Sequence, residues 1–189
     1  GARSLALYDE FVSRVVEDSG STVQYVRNGT LEVALNAQEA EKLESAHRVY
    51  SEMGVKVELL DQKAVHAAEP QLSEDIQAGL VVGGHGYVGA ADLTNALRRA
   101  AGAYGVTFAP ATSATRISAV GDSMRVETGP KTLSCDTVVM AAGSWSGQVE
   151  AEGEEQVPIR PVRGQLLHLG WPMSALSGVI WTDRCYFVP

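Results

Sequence analysis

The chain has 189 residues, 45% of them hydrophobic, so it can bury a core of ordinary size and form one domain or parts of two. Its net charge of −8 argues against a nucleic-acid partner, because such proteins need a basic surface. No apolar run approaches the roughly 20 residues of a membrane span, and no signal segment opens the chain. We therefore expect a cytoplasmic protein without nucleic-acid or membrane partners.

The cysteines and histidines show no spacing that is typical of metal ligands. Cys135 and Cys185 lie far apart, and each of the four histidines lacks a second ligand at helical or turn distance. We predict no metal site. A reducing compartment accounts most simply for two unpaired cysteines.

A helix and a β-hairpin are predicted first along the chain. Apolar residues recur at helical spacing from about Ser4 to Ser19, and Gly20 suits the position that ends such a helix. Asn28 and Gly29 then lie between two β-rich runs. This pair is the typical signal of a two-residue hairpin turn, in which both central residues need a positive φ.

Two capped helices follow the predicted hairpin. Asn36 is expected to cap a helix that Gly54 ends, with Glu39 completing a capping box. After a short strand, Asp61 is expected to cap a brief helix that ends at Pro70.

Residues 84–89, GHGYVG, match the G-x-G-x-x-G pattern of dinucleotide-binding proteins. In that motif the helix starts inside the glycines, so that its first N–H groups face the pyrophosphate. Here the helix is predicted to start near Ala91, beyond the last glycine, and Asp92 would place a carboxylate at the anion end. We interpret the glycines as a turn that joins two strands.

The second half of the chain changes to a period-two pattern. Three runs separated by glycine turns, Thr112–Val120, Met124–Thr128 and Thr132–Cys135, predict an antiparallel meander. The apolar run VVMAA at 138–142 is typical of a strand covered on both faces, as in a parallel sheet.

The remaining segments are predicted to be a loop and further strands. The acidic stretch 150–155 reads as a surface loop. Ile159–Leu169 and Val179–Val188 are predicted to contain strands.

Several of these segments carry a family resemblance. The block from the helix after GYVG through the meander to AAGSWS resembles the FAD-dependent amino-acid oxidases, the superfamily of glycine oxidase, sarcosine oxidase and D-amino-acid oxidase. PIRPVRGQLLHL at 158–169, VIWTDRCYFVP at 179–189, YVRNGTLEVAL at 25–35 and the Glu69-Pro70 pair are also similar to this family. The resemblance extends over essentially the whole chain and is greatest to the glycine oxidases linked to thiamine biosynthesis.

The resemblance implies a mixed α/β (α+β) fold. Part of a FAD/NAD(P)-binding domain, a β-meander plus a parallel strand, would be interleaved with an antiparallel-sheet substrate-binding domain. Residues 1–20 would be a helix at the domain boundary, 21–89 the first part of the substrate-binding domain, 90–148 the FAD-binding portion and 149–189 the second, truncated part. The family's amino-terminal pyrophosphate-binding turn and carboxy-terminal substrate arginine have no counterpart here, so the chain is expected to be a central fragment.

The resemblance also implies cofactor-binding residues. Ala142 and Gly143 lie where the family's return strand meets FAD, and a larger side chain would collide with the cofactor. Packing beneath a helix is the alternative reason for such small residues. Ala114 aligns with a backbone contact to the adenine side, although family members usually have Pro and Val at Ser113 and Ala114.

Trp181 and Tyr186 fall where glycine oxidases place two aromatic residues over the substrate. Tyr186 could donate a hydrogen bond to a substrate carboxylate, or simply fill a core. The family residue at Trp181 is commonly Tyr, which leaves specificity for glycine open. Arg163 could complement an anion or be an exposed surface residue. No catalytic residue is assigned, since the hydride chemistry resides mostly in the cofactor.

The implied function is that of a FAD-dependent oxidase of a small amino acid or secondary amine. Hydride transfer to the flavin would give an imine, and O₂ would be reduced to H₂O₂. A flavin dehydrogenase with another electron acceptor and a non-catalytic module that binds small anions are the alternatives. The isolated fragment is expected to bind FAD weakly and to be inactive. The exact substrate and a homo-oligomeric state are left open.

Overall fold

The computed structural model describes residues 2–170 and 176–189. Within them the chain has a mixed α/β fold, as predicted, and it divides into two compact units. The first unit comprises Gly1–Val106 and Gly170–Pro189, and the second comprises Thr107–Leu169.

The described residues form α-helices and short β-strands in alternation. The helices are α1 (Ala2–Ser19), α2 (Ala37–Glu52), α3 (Gln62–Ala68) and α4 (Ala90–Ala103). The strands are β1 (Tyr25–Val26), β2 (Thr30–Ala34), β3 (Val57–Asp61), β4 (Ala78–Val82), β5 (Tyr87–Val88), β6 (Arg116–Val120), β7 (Ser123–Glu127), β8 (Thr132–Cys135), β9 (Glu150–Ala151), β10 (Val179–Trp181) and β11 (Tyr186–Phe187). A 3₁₀ helix spans Gly143–Gln148.

The first unit is built around a five-stranded sheet in the order β11-β10-β2-β4-β3. All neighbouring strands are antiparallel except β10 and β2, which are parallel. One face buries Leu80 against Leu43 of α2. The other face buries Leu31 and Ile180 against Val65 of α3. Successive residues of each strand point to opposite faces, so the sheet is covered by a different helix on each side.

A third cluster in the first unit packs α1 against α4. Val15 of α1 meets Leu93 and Ala96 of α4, all of them buried. A two-stranded antiparallel sheet of β1 and β5 lies beside them, with Val88 packed against the cluster.

The second unit holds the meander in a sheet of order β8-β7-β6-β9. β6, β7 and β8 are antiparallel neighbours, as the period-two pattern predicted. β9 pairs in parallel with β6, so the acidic stretch 150–155 begins with a strand. Arg116 of β6 forms ion pairs with Glu150 and Glu152, at 3.6 and 3.7 Å.

The predicted caps of α2 and α3 are confirmed, but the predicted capping box differs: the Glu39 carboxylate accepts hydrogen bonds from the backbone N–H of Leu35 and from the side chain of Asn36, at 2.7 and 2.8 Å. The side chain of Asn36 accepts a hydrogen bond from the backbone of Glu39 at the start of α2, and that of Asp61 accepts one from Ala64 at the start of α3. Gly20 follows α1 with φ +60°. α4 begins at Ala90, beyond the last glycine of GHGYVG, and the first two of these glycines lie in the turn that joins β4 to β5, as predicted.

The predicted hairpin at Asn28 and Gly29 is wrong. β1 pairs with β5, and β2 pairs with β4 and β10, so the two strands that flank this turn do not pair with each other. A type I′ turn needs positive φ at both central residues, and of this pair only Gly29, at +87°, has it. The Gly29 N–H donates instead to the carbonyl of His85, at 2.9 Å.

The apolar run at 138–142 is not a strand, and neither is Ile159–Leu169. Val139 is 84% exposed and Leu167 is 79% exposed. In the described part of the second unit, both edges of β6 are occupied, by β7 and β9, and neither run pairs with another strand. A fully apolar run is suited to a strand that is covered on both faces of a sheet. It forms such a strand only where neighbouring strands and covering helices are present.

The division into units cuts across the predicted domain boundaries. α4 was predicted to belong to a FAD-binding portion at 90–148, and it packs on α1 within the first unit. The assignment of the four ranges to substrate and cofactor domains stays a prediction.

Substituting Gly79 by Ala is expected to destabilise the first unit. An added Cβ would lie 2.7 Å from Cγ2 of Val65 and 2.8 Å from Cδ1 of Leu31, which overpacks the core between β4 and α3. We expect a loss of about 1–3 kcal/mol in the free energy of unfolding, measured with urea.

The matched control is Gly102→Ala, inside α4, where an added Cβ meets nothing within 4 Å. This change is expected to stabilise by about 0.5–1 kcal/mol, because alanine is the better helix former. Equal effects of the two substitutions would contradict the packing described for β4.

Candidate functional site

A row of side chains crosses one edge of the five-stranded sheet. Trp181 of β10 is the register partner of Glu32 on β2 and of Tyr186 on β11. Residues directly opposite in neighbouring strands share a face of the sheet. Glu32 also lies opposite the buried Leu80, on the face that α2 covers elsewhere.

A cavity of about 360 Å³ opens over this row. Its floor comes from β2, β10 and β11, and its walls come from α1 and the turn before β5. The lining residues are Leu5, Thr30, Glu32, His85, Gly86, Tyr87, Val179, Trp181, Tyr186 and Val188. The structure therefore brings the two predicted substrate residues, Trp181 and Tyr186, into one concave site within the first unit.

The two aromatic rings of the site are stacked. The ring centroids of Trp181 and Tyr186 are 4.7 Å apart, with 28° between the planes. Such pairs contribute about 0.5–1.5 kcal/mol beyond the area they bury. Trp181 is 42% exposed and Tyr186 is 51% exposed, so neither ring is buried by the described residues.

The start of β10 is held by a buried carboxylate. Glu69 is 3% exposed, and one of its oxygens accepts hydrogen bonds from the backbone N–H of Ser177, at 2.8 Å, and from the Ser177 hydroxyl. The side-chain amide of Asn28 donates a hydrogen bond to the backbone carbonyl of Ser177. Glu69, which follows α3, and Asn28, which follows β1, thus fix the start of the strand that carries Trp181.

The turn between β10 and β11 is tied to α2. The Thr182 hydroxyl accepts hydrogen bonds from the backbone N–H groups of Arg184 and Cys185, at 3.1 and 3.0 Å. Lys42 of α2 donates to Asp183 at 2.7 Å. The hydrogen bond and the charge of Asp183 raise the pKa of Lys42 above its ordinary value of 10.5. This pair is exposed, so its contribution to stability is screened by solvent.

Glu32 and His85 are polar residues of the cavity that were not predicted as site residues. Nδ1 of His85 is 3.2 Å from the hydroxyl of Thr30, and these two groups form a hydrogen bond. Glu32 is half-buried, and within the described ranges no group donates a hydrogen bond to its carboxylate. One signal was available for Glu32: a charged residue interrupts TLEVA, a strand whose other four residues are buried.

The three predicted cofactor residues lie in the second unit. Ala114 precedes β6 and is exposed, and Ala142 is half-buried just before the 3₁₀ helix. Gly143 has φ +56°, and a Cβ added there would meet nothing within 4 Å. The surface at Gly143 is therefore open within this unit. The positive φ gives a second reason for glycine at this position.

Two other residues of the same unit are exposed. Trp145 in the 3₁₀ helix is 61% exposed. Arg163 is exposed in a segment without regular structure, and the described residues offer it no ion pair, as expected of a surface arginine.

Across residues 2–170 and 176–189, no three His, Cys, Asp or Glu side chains are grouped so that they could hold a metal ion. None of the helices in these ranges has both the length and the apolar character that crossing a membrane requires.

Comparison with known proteins places these features in context. The family model described as FAD dependent oxidoreductase matches residues 1–189. Glycine oxidase of Geobacillus kaustophilus is 26% identical over 99% of this chain and 50% of its own length. Hydrogen cyanide synthase subunit HcnC of Pseudomonas aeruginosa is 27% identical over 97% of this chain and 45% of its own length. D-amino acid dehydrogenase of Agrobacterium fabrum is 31% identical over 78% of this chain and 36% of its own length.

The fold is likewise similar to that of a solved relative. The crystal structure of glycine oxidase from Geobacillus kaustophilus matches with a TM-score of 0.86 over 100% of this chain and 51% of that chain, at 23% identity. At this identity the likeness establishes the fold. The chain spans about half the length of the curated relatives it matches.

Substituting Glu69 by Ala is expected to loosen β10. The backbone N–H and the hydroxyl of Ser177 would lose a charged acceptor in a buried place, which costs about 2 kcal/mol or more. We expect a lower free energy of unfolding together with a weaker near-ultraviolet signal from the Trp181–Tyr186 stack. Glu69→Gln keeps an acceptor oxygen and should lose less.

Glu74→Ala is the control for this change, because Glu74 is exposed and only its backbone carbonyl accepts a hydrogen bond. If Glu69→Ala behaves like Glu74→Ala in both measurements, the carboxylate does not hold β10.

The Lys42–Asp183 pair is expected to give a stability difference that depends on pH. Because Asp183 raises the pKa of Lys42 in the folded state, the contribution is fully present below about pH 10, near the pKa of an unfolded lysine, and is lost as the pH rises through the raised value. The difference in free energy of unfolding between the wild type and Lys42→Met should therefore stay constant from pH 8 to about pH 10 and shrink from there to about pH 11.5.

The control is Lys63→Met, at an exposed lysine that makes no ion pair with the described residues. A difference between wild type and Lys42→Met that stays constant up to pH 11.5 would show that the ion pair contributes nothing.

Proposed function

Since the chain belongs to the family of FAD-dependent oxidoreductases, we propose that the protein containing it oxidises a small amino acid or secondary amine. The observation that carries this proposal is the stacked pair of Trp181 and Tyr186 in one cavity of about 360 Å³. That volume lies near the lower end of ordinary small-molecule sites. It therefore favours a small substrate.

The cavity residues bind and orient the substrate. The phenol of Tyr186 donates a hydrogen bond to the substrate carboxylate, because a tyrosine hydroxyl is a donor at neutral pH. The stacked ring of Trp181 covers the apolar part of the substrate and excludes water from it. A site that holds its reactant in one orientation removes much of the entropic cost of reaction.

FAD is the cofactor of this family, and Ala114, Ala142 and Gly143 are the residues proposed to contact it. The exposed backbone at Gly143 leaves room for this contact, since no neighbouring atom would meet even a Cβ there. When bound, FAD supplies the acceptor for the hydride that leaves the substrate α-carbon. No side chain of the described residues is proposed as a general base.

We propose O₂ as the second substrate. The amine loses two electrons and two protons to become an imine, and O₂ takes them up to become H₂O₂. The similarity to a glycine oxidase supports this choice. The similarity to a D-amino acid dehydrogenase favours a second candidate, transfer of the same electrons to an acceptor other than O₂.

A cytoplasmic location and a link to thiamine biosynthesis remain part of the proposal. Cys135 and Cys185 are free thiols in the structure, which suits a reducing compartment.

The test uses the FAD-loaded full-length protein and follows flavin reduction under anaerobic conditions with glycine, sarcosine and proline. At least one of them should bleach the flavin. Oxygen consumption in air then separates the oxidase from the dehydrogenase. If an amine binds without bleaching the flavin, the proposed oxidation is rejected in favour of a non-catalytic binding module. If no amine either binds or bleaches the flavin, the proposal is rejected altogether.

Substituting Tyr186 by Phe should raise KM for the bleaching substrate by about 10-fold or more, because a hydrogen bond to a charged group is lost. The value of kcat should change much less, since carboxylate binding is common to ground and transition states. Tyr104→Phe, at a tyrosine that is 73% exposed and does not line the cavity, is the control. An unchanged KM in Tyr186→Phe would contradict the assigned role.

A further inference from the structure

One charged residue interrupts the most buried strand of the sheet. In β2, Thr30, Leu31, Val33 and Ala34 are buried, and Glu32 between them is half-buried. A strand that is covered on both faces is normally apolar throughout. Glu32 instead lines the cavity beside Trp181, its register partner on β10.

The surroundings of Glu32 do not neutralise it within the protein. In the described part of the chain, no lysine or arginine forms an ion pair with it and no group donates to its carboxylate. The ionisable neighbours in the cavity are His85, whose Nδ1 is engaged with Thr30, and the phenols of Tyr87 and Tyr186. A carboxylate that is partly removed from water without a partner costs free energy, so a cationic ligand would be favoured there.

The aromatic stack adds a second attraction for a cation. Neighbouring strands lie about 4.8 Å apart, so the backbone of Glu32 is directly beside that of Trp181. The face of an indole ring attracts a nearby cation, and tryptophan does so most strongly of the aromatic residues. A carboxylate next to aromatic faces is the chemistry that recognises alkylated ammonium groups.

We propose that Glu32 and Trp181 form a subsite for the amine end of the substrate and that this subsite prefers N-alkylated over primary ammonium groups. The inference rests on the proposed function, since it assigns the opposite, carboxylate end to the phenol of Tyr186. A zwitterionic amino acid is then oriented by its two charges. The substrate class selected in this way is that of N-methylated amino acids.

The probe is glycine betaine, compared with 3,3-dimethylbutanoate. The two molecules have the same shape and the same carboxylate, but a trimethylammonium group in the first is a neutral tert-butyl group in the second. Betaine has no nitrogen lone pair, so it cannot be oxidised to an imine and its binding is measured at equilibrium. Calorimetric titration of the FAD-loaded full-length protein gives both dissociation constants.

The wild-type protein is expected to bind betaine at least 10-fold more tightly than 3,3-dimethylbutanoate. Glu32→Gln should weaken betaine binding by 10-fold or more and leave the neutral ligand within 2-fold. Glu58→Gln, at an exposed glutamate on β3 of the same sheet, is the matched control and should change neither value.

Equal affinity of the wild type for the two ligands would overturn the proposal without any variant, so it stays testable if Glu32→Gln does not fold. Equal weakening of both ligands by Glu32→Gln would also overturn it. If betaine binding depends on Glu32 but no amine reduces the flavin, the proposed oxidation is rejected and the subsite is supported. Amine oxidation without selectivity for betaine would reject the subsite alone.

Discussion

The site depends on the parallel pairing of β10 with β2. This pairing joins residues 30–32 to residues 179–181, which are distant in the sequence, and it aligns Trp181 with Glu32. A slip of one residue would move Trp181 to the opposite face, where Ile180 now packs in the core with Leu31. The buried Ile180 and the hydrogen bonds of Glu69 to Ser177 act together to exclude that slip.

The cavity exists because the sheet face is covered unevenly. α2 packs on Leu80, toward the edge of the sheet that β3 forms. The cavity lies over the other half of this face and is lined by Leu5 and the turn before β5. Gly86 in that turn lies so close to β1 that an added Cβ would be 1.9 Å from the carbonyl oxygen of Val26. Contact with the backbone of Val26 therefore requires glycine at position 86, the second glycine of GHGYVG. This contact explains a glycine of the dinucleotide-like pattern without a bound nucleotide.

Features set by neighbouring residues could be predicted from the sequence. The caps at Asn36 and Asp61 are decided within three residues of the helix start, and both were correct. The turn at Asn28 and Gly29 failed because strand pairing is settled by partners far along the chain, and β2 finds better ones in β4 and β10. The run at 138–142 failed for the same reason, since an apolar segment forms a buried strand only where flanking strands are present.

The candidate site was partly predictable for a similar reason. Trp181 and Tyr186 lie in one short hairpin, so sequence resemblance could identify them together. Glu32 stands out locally as a charged residue within TLEVA, but its place in the cavity depends on the register of β2 with β10, which only the fold determines. Ala142 and Gly143 were predicted from the small side chains of a short segment, and Gly143 has a left-handed backbone, which glycine adopts readily.

Cross-linking by cysteine pairs tests the register of β10 against β2 most directly. In a background with Cys135 and Cys185 replaced by Ser, Glu32→Cys with Trp181→Cys places two thiols on the same face of neighbouring strands, within the range for a disulfide. Glu32→Cys with Ile180→Cys places them on opposite faces. The account predicts a rapid disulfide in the first pair and none in the second under mild oxidation, measured by mass spectrometry. Cross-linking of the second pair in preference to the first would contradict it.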